Sequence, residues 1–427
     1  MSAPADDASA SGPPLPPPAD HEHVTLVPTR PPAEDGAGGA AERTTATMSS
    51  PVRSKSGWDG KLRVERKKEV RVGGAEGGED DREEEDDDEE DEDEEEEEDG
   101  EGHGGTRAAR EARVERGEDV PGEEIAADED LLEGEDEDTD EIDLVHCRIS
   151  SLPALKLERF TKCERLCLRQ NIITTINFPS SLGRTLKDLD LYDNLIAHIK
   201  GLDDLTELTS LDLSFNKIKH IKRVNHLKKL RDLYFVQNKI QTIEGLEGLS
   251  ELRNLELAAN RIRTIENLDT LTALEQLWLG KNKITQLQGL STLTNLKILS
   301  IQSNRLTSIV NLSALAALEE LHISHNAIAS LAGLESNTNI RVLDITANPV
   351  TSLAGLGPLK KLEELWASYC KLEDFAEVED VLRDKEELDT VYFEGNPLQT
   401  RQPALYRNKV RLALPQVKQI DATFVKL

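Results

Sequence analysis

The stretch from Leu208 to Ile221 reads LTSLDLSFNKIKHI and contains the unit that repeats through most of the chain. The pattern recurs with its asparagine at 22-residue steps, at Asn194, Asn216, Asn238, Asn260, Asn282, Asn304, Asn326 and Asn348. A further 22-residue step leads to Cys370, and steps of 23, 24 and 26 residues extend the series to Asn171, Cys147 and Asn396. We call the asparagine position of each unit its slot. Twelve slots at a nearly fixed period predict a solenoid in which each repeat forms one coil.

The residue types of the unit explain its spacing. Leu211 and Leu213 alternate along a short strand and should point inward, and Ile218 and Ile221 should fill the interior from the return segment. The side chain of Asn216 can satisfy backbone groups at the bend that burial would otherwise leave unpaired. One coil cannot bury its own apolar face, so we expect stability to come from stacked neighbours.

These features predict a leucine-rich-repeat solenoid, a horseshoe with a parallel concave β-sheet. A 22-residue coil is short, so the convex side should consist of turns and 3₁₀ pieces. We expect the repeat solenoid over residues 141–374, with Glu141–Arg159 as an irregular N-terminal cap. Residues 375–427 should hold the last repeat and a C-terminal cap, with a helix over Phe375–Leu388 and a helical cap between Tyr406 and Phe424.

Charge separates the first third of the chain from the rest. Residues 1–140 contain 47 acidic and 15 basic residues, a net charge of −32, whereas residues 141–427 contain 36 of each sign. Every residue from Glu79 to Asp99 except Arg82 is acidic, and Pro-rich and Gly-rich stretches precede this run. Self-repulsion with few apolar side chains predicts that residues 1–140 are a disordered acidic tail.

Several classes of protein find no support in the sequence. No apolar run is long enough to span a membrane, and no signal-peptide pattern precedes the tail. The four cysteines lack zinc-site spacing, which favours a reduced intracellular compartment. Walker-type, GxSxG and HExxH motifs are absent, so we expect neither an enzyme nor a cofactor. Glu320, His322 and His325 could bind a metal, but a chance grouping on the rim of a strand is the favoured interpretation.

Residues between the two strand leucines should point outward from the concave sheet. That column reads Asp143, Cys167, Asp190, Asp212, Tyr234, Glu256, Trp278, Ser300, His322, Asp344, Trp366 and Tyr392, and a second column adds Asp188, Asp232, Gln276, Glu320 and Glu364. Exposed tyrosines and tryptophans beside carboxylates predict a groove for a folded protein with a basic, partly apolar patch, and disfavour nucleic acid. The alternative is that the tryptophans pack on their neighbours and the acids are ordinary solvated surface.

Residues 141–427 resemble the regulatory subunit 7 family of protein phosphatase 1. The resemblance is carried by LDLSFNK at Leu211–Lys217, NRIRTIENL at Asn260–Leu268, LGKNKIT at Leu279–Thr285 and QSNRLT at Gln302–Thr307. Its most specific parts are TVYFEGNPLQ at Thr390–Gln399 and RLALPQVKQIDATFV at Arg411–Val425. The long acidic tract of the tail is a departure from the family pattern.

The resemblance implies that the concave face binds the catalytic subunit of a serine/threonine phosphatase, away from its active site. By position the implied contact residues are Asp212, Tyr234, Glu256, Trp278, Glu364, Trp366 and Tyr392. It implies control of the phosphatase by steric and allosteric means, at times with a second inhibitor protein. The common docking motif Arg/Lys-x-Val/Ile-x-Phe is absent from the tail, which has no phenylalanine. We expect a protein that is monomeric by itself and occurs in nucleus and cytoplasm.

Two other interpretations stay open at this point. An acidic nuclear leucine-rich-repeat protein would use the tail to bind histones or other basic proteins, and the basic cluster between Lys61 and Arg71 could be a nuclear localisation signal. A ciliary or cytoskeletal repeat scaffold would share the 22-residue unit. Deletion of residues 1–140 separates the first of these from a phosphatase regulator, because only the histone-binding function should need the tail.

Overall fold

A computed structural model describes residues 128–425, which form a stack of coils with one short strand per coil. The predicted disordered tail therefore lies outside the described residues, except for residues 128–140. The strands are β1 Glu141–Asp143, β2 Arg165–Cys167, β3 Asp188–Asp190, β4 Ser210–Asp212, β5 Asp232–Tyr234, β6 Asn254–Glu256, β7 Gln276–Trp278, β8 Ile298–Ser300, β9 Glu320–His322, β10 Val342–Asp344, β11 Glu364–Trp366, β12 Thr390–Tyr392, β13 Gln419–Ile420 and β14 Thr423–Phe424.

The strands form one sheet in chain order, in which β1 to β13 are parallel and β14 returns antiparallel to β13. Each pairing places the same repeat position of successive coils side by side, as with Leu211 beside Leu233 and Asp212 beside Tyr234. The central residue of every strand from β1 to β12 is apolar and buried. The predicted leucine-rich-repeat solenoid with a parallel sheet is therefore confirmed.

The slot asparagines join each coil to the one before it. The Asn260 Nδ2 donates to the carbonyl of Phe235 in the preceding coil at 2.8 Å and to that of Leu257 in its own coil at 3.1 Å. The Asn260 Oδ1 accepts the backbone N–H of Ile240, again from the preceding coil, at 3.0 Å. The other slot asparagines make the same kinds of bond. In the slot at 370, the Cys370 Sγ donates to the carbonyl of Ile345 at 3.3 Å.

The tight bends need left-handed backbone at fixed positions. The residue before each slot from 171 to 370 has a positive φ, as in Phe215 at 58° and Ala259 at 57°. A second such position lies seven residues after the slot, where Gly245 has φ 69°. A Cβ at Gly245 would lie 2.1 Å from the carbonyl oxygen of Ile221, so this close approach of two coils requires glycine.

Return segments consist of turns, with 3₁₀ helices at Leu152–Leu155, Leu157–Arg159 and Ser180–Arg184, as the short repeat predicts. Leucines and isoleucines of these segments meet the strand residues in one continuous core along the described chain. The core is therefore built by stacking, since each coil supplies only one layer of it.

At the N-terminal end, packed structure begins upstream of the predicted boundary at residue 140. Leu132 is buried, and its carbonyl accepts a hydrogen bond from the guanidinium of Arg159. The Asp128 carboxylate accepts the backbone N–H groups of Ser150 and Ser151, both at 3.0 Å. The segment predicted as an irregular cap also supplies strand β1, so it includes a regular first coil.

At the C-terminal end, three helices cover the stack: α1 Phe375–Leu382, α2 Pro397–Thr400 and α3 Pro403–Ala413. The helix predicted over Phe375–Leu388 ends at Leu382, because Lys385 turns inward instead of continuing it. The Lys385 ammonium is buried and donates to the carbonyls of Leu356 at 2.7 Å and Leu359 at 3.2 Å. The predicted helical cap is thus α3 followed by the β13–β14 hairpin.

Replacing a slot asparagine should destabilise the whole stack. Asn260→Ala removes hydrogen bonds to buried backbone groups of two coils, and we expect the free energy of unfolding to fall by about 2–4 kcal/mol. Arg261→Ala changes the exposed next residue and should leave stability nearly unchanged. Urea denaturation followed by circular dichroism measures both; equal losses for the two variants would show that the asparagines do not hold the coils together.

Candidate protein-binding face

The outward column of the sheet is formed by the last residue of each strand from β1 to β12. The structure divides the seven predicted contact residues into two groups along this column. We call Asp212, Tyr234, Glu256 and Trp278 the N-terminal patch, and Glu364, Trp366 and Tyr392 the C-terminal patch. Strands β8, β9 and β10 separate the two patches.

The N-terminal patch is a row of adjacent side chains. Parallel pairing places Asp212 beside Tyr234, Tyr234 beside Glu256, and Glu256 beside Trp278. All four are half-buried, so each retains exposed surface. The Trp278 Nε1 donates to the Asn254 Oδ1 at 3.1 Å, which fixes the indole across the strand boundary. The patch therefore presents two aromatic rings and two carboxylates side by side, and a hydrogen bond fixes the Trp278 ring.

Burial changes the ionisation of the carboxylates on this half of the sheet. Desolvation raises the pKa of Glu256 to about 7, with further contributions from the charges of Asp212 and Asp232. Desolvation likewise raises the pKa of Asp190 to about 6, and that of Asp212 is also raised. Glu256 and Asp190 therefore hold protons to a higher pH than ordinary carboxyl groups do, so a positive partner that keeps them ionised would displace protons.

Some of these acids also have a local structural role. The Asp212 Oδ1 accepts the backbone N–H of Ser214 at 2.8 Å. In the same way, Asp190 and Asp344 each accept the backbone N–H of the residue two positions later in the chain, at 3.0 Å. Aspartate in this column thus stabilises the bend that follows the strand. Arg169 lies 3.3 Å from the Asp190 carboxylate and over the ring of Tyr192.

The C-terminal patch is packed more tightly than the sequence suggests. Trp366 is only 8% exposed, which corrects the expectation of an exposed ring. Its ring meets Tyr392 edge-on at 6.0 Å and lies 5.9 Å from His322, and its Nε1 donates to Glu364 at 3.1 Å. The Tyr392 hydroxyl accepts from Gln419 Nε2 at 2.8 Å. Packing on neighbours, the alternative considered above, therefore applies to Trp366.

His322 lies in the outward column on β9, between the two patches. The exposed position predicted for it on the rim of the strand is wrong, because its side chain is completely buried. Its Nε2 lies 3.4 Å from Glu320, and its ring packs on Trp366, whereas His325 is exposed on the bend. The one available signal was its place in the outward column. Among residues 128–425, no cluster of three or more ligand-type side chains is suited to a metal ion.

Chemically, the face offers carboxylates, amide groups and aromatic edges, which together suit binding to a cationic and partly apolar protein surface. Within the described part of the chain, no helix combines the length and apolarity needed to cross a membrane.

The raised pKa of Glu256 gives a pH-dependent stability. The folded protein binds the Glu256 proton more tightly than the unfolded chain does. The resulting contribution to the free energy of unfolding is complete below pH 4.5 and is lost as pH rises through about 7. Glu256→Gln keeps the shape without the charge, so at pH 8 it should be more stable than the wild type by up to about 3 kcal/mol.

At pH 5 the difference in the free energy of unfolding between the two proteins should fall to about 1 kcal/mol or less, because the carboxyl is then only partly ionised in the unfolded chain. Urea denaturation at both pH values measures it, and Glu247→Gln, which alters an exposed carboxylate, is the matched control. A gain of the same size at both pH values would contradict a proton held by the folded state.

Comparison with known proteins agrees with the fold. A family model described as leucine-rich repeats in two copies matches residues 250–292, 272–316, 294–336 and 316–358. The crystal structure of an internalin from Listeria monocytogenes aligns with a TM-score of 0.56 at 22% identity, over 71% of this chain and 90% of that one. At that identity the alignment supports the fold alone.

Curated relatives match parts of the chain more closely. Protein phosphatase 1 regulatory subunit SDS22 from Saccharomyces cerevisiae is 47% identical over 117 residues, which are 27% of this chain and 35% of the relative. Protein phosphatase 1 regulatory subunit 7 from Bos taurus is 60% identical over 47 residues, 11% of this chain and 12% of the relative. The matches thus span about a third or less of these relatives. The chain is a leucine-rich-repeat protein related to the SDS22 and regulatory subunit 7 proteins.

Proposed function

We propose that this protein is a non-catalytic regulatory subunit that binds the catalytic subunit of protein phosphatase 1 and controls its activity, maturation or localisation. The observation that carries the proposal is the 47% identity to a subunit of that name, over a segment of 117 residues. The binding surface is the outward face of the sheet, with the N-terminal and C-terminal patches as its contact regions.

The chemistry of the face supports this assignment. Its half-buried carboxylates are costly to ionise in the unbound protein, and a basic partner patch would stabilise their charged form. The aromatic rings are fixed by hydrogen bonds and ring packing, so little side-chain entropy is lost on binding. A rigid face of this kind selects a partner by charge and shape.

The mode of control that we propose is steric and allosteric. The solenoid binds a surface of the phosphatase that lies away from the phosphatase active site. This binding determines the conformation of the phosphatase and its further partners. A second inhibitor protein joins some of these complexes, the protein is monomeric when unbound, and it acts in the nucleus and the cytoplasm. These parts of the proposal derive from the family resemblance.

A capture experiment with the purified phosphatase catalytic subunit tests the partner and the face together. The variant Tyr234→Ala with Trp278→Ala removes two rings of the N-terminal patch, and we expect at least about tenfold weaker binding. Tyr369→Ala is the matched control, since Tyr369 is a 53%-exposed aromatic on the bend and other coils carry alanine there, as at Ala259 and Ala347. These residues are a cleaner choice than Glu364 and Trp366, whose burial makes loss of folding a confounding effect.

Circular dichroism should show that both variants are folded. Failure of the folded wild type to bind would refute the phosphatase as partner, and equal binding by all variants would refute the face. A truncation that begins at Asp128, which keeps the contacts of Asp128 and Leu132, should bind as well as the full chain. Loss of binding in that truncation would favour a function centred on the tail.

A further inference from the structure

A column of basic residues follows the slot asparagines on five successive coils. Its members occupy the position directly after the slot and are Lys217, Lys239, Arg261, Lys283 and Arg305. All are exposed except Lys283, which is half-buried. Lys283 and Arg305 also contact other groups of the chain. We call this column the basic ridge.

Backbone hydrogen bonds hold the basic ridge in a regular line. The N–H of Lys217 donates to Ile196 in the preceding coil at 2.8 Å, and Lys239 and Arg261 donate likewise to Ile218 and Ile240 at 2.9 and 2.8 Å. Because coils stack at the strand spacing of about 4.8 Å, the five cations span about 19 Å. An extended peptide of about six residues covers that length.

A groove lies beside the first half of the ridge. Its volume is about 540 Å³, and Lys239 and Arg261 contribute to its wall. Tyr192 and Phe215, whose ring centroids are 4.7 Å apart, form the aromatic part of the wall, and Asp193 is its one acidic member. The remaining lining is Gln170, Asn216, Gln237, Asn238, Ala259 and Asn260. The surface is therefore cationic and rich in hydrogen-bonding groups.

The ridge is distinct from the candidate protein-binding face. On the same five coils the outward column of the sheet carries Asp212, Tyr234, Glu256, Trp278 and Ser300. Opposite charges are thus segregated on adjacent surfaces, although residues 141–427 have no net charge. A basic protein would suit the sheet face, and an acidic peptide would suit the ridge.

The chain supplies such a peptide itself. Residues 79–99 contain twenty acidic residues in twenty-one positions, so almost every register of the tract opposes the ridge with carboxylates. Residues 100–127 connect the tract to Asp128 and reach at most about 95 Å when extended. The distance along the stack from β1 to β8 is about 34 Å, well within that reach.

We propose that the acidic tract Glu79–Asp99 docks in cis on the basic ridge and its groove. The contact is electrostatic, tolerant of register and weakened by salt. It leaves fewer carboxylates of the tract free to bind basic proteins in solution.

Zero-length carbodiimide cross-linking of the full chain at low salt tests the docking, because it joins only a carboxylate and an amine in direct contact. Trypsin releases most of the tract as one peptide, since it cleaves after Arg82 and Arg107. We expect that peptide to be linked to Lys217, Lys239 and Lys283, and not to the exposed Lys200, Lys222 or Lys228 of other surfaces. The links should be lost in about 0.5 M salt.

A variant that leaves all lysines in place gives the sharper comparison. Arg261→Glu with Arg305→Glu should lower the ridge cross-links by about fivefold or more. Arg184→Glu with Arg411→Glu makes the same change in charge at exposed positions off the ridge and should leave the links unchanged. Circular dichroism confirms that both variants fold.

Mixing ¹⁵N-labelled and unlabelled chains distinguishes cis from trans contacts. Links within one isotope class support docking in cis. Links between classes would overturn it in favour of an acidic segment bound from another chain. Links spread evenly over the lysines, or equal losses in the two arginine variants, would overturn the ridge as the docking surface.

Discussion

The asparagine side chain at each slot is the interaction on which the rest of the structure depends. It donates to carbonyls of two successive coils and accepts an N–H from the preceding one, so backbone groups at the bend are paired inside the core. Without it the bend would be buried with unmatched polar groups. Ten of the twelve slots therefore carry asparagine, which satisfies both sides of the turn, whereas Cys370 supplies only the donor bond.

Because successive coils stack in a fixed register, equivalent side chains line up in columns. These columns form the sheet face and the basic ridge. Every position of the repeat is brought beside its equivalent in the next coil, as the parallel register of Leu211 and Leu233 shows. A residue type that recurs in sequence therefore becomes a continuous stripe in space. Acids and aromatics four residues before the slot form the sheet face, and cations one residue after it form the basic ridge.

Periodicity predicted the fold because its physical cause is local and repeated. The spacing of leucines and asparagines determines strand, bend and core, and the family resemblance supplied the candidate contact residues. The ends were less predictable: Lys385 stops the predicted helix by bonding to carbonyls of an earlier coil, and Leu132 packs upstream of the expected boundary. Both depend on contacts between residues distant in sequence, which a repeat pattern does not encode.

The same limit applies to the candidate site. Alternation predicted that Trp366 and His322 lie in the outward column, but not that they pack on each other and become buried. Burial of that kind depends on which residues occupy adjacent coils, since a ring is covered only by large neighbours. The N-terminal patch, with its half-buried Tyr234 and Trp278, thus offers more accessible aromatic surface than the C-terminal patch.

Hydroxyl-radical footprinting of the full chain, alone and with the phosphatase catalytic subunit, tests whether the outward face of the sheet binds the phosphatase. It reports the solvent access of individual aromatic rings without altering the protein. We expect oxidation of Tyr234 and Trp278 to fall on complex formation, while oxidation of Tyr369, on the bend, is unchanged. Unchanged oxidation of Tyr234 and Trp278 in a complex that has formed would contradict binding through the sheet face.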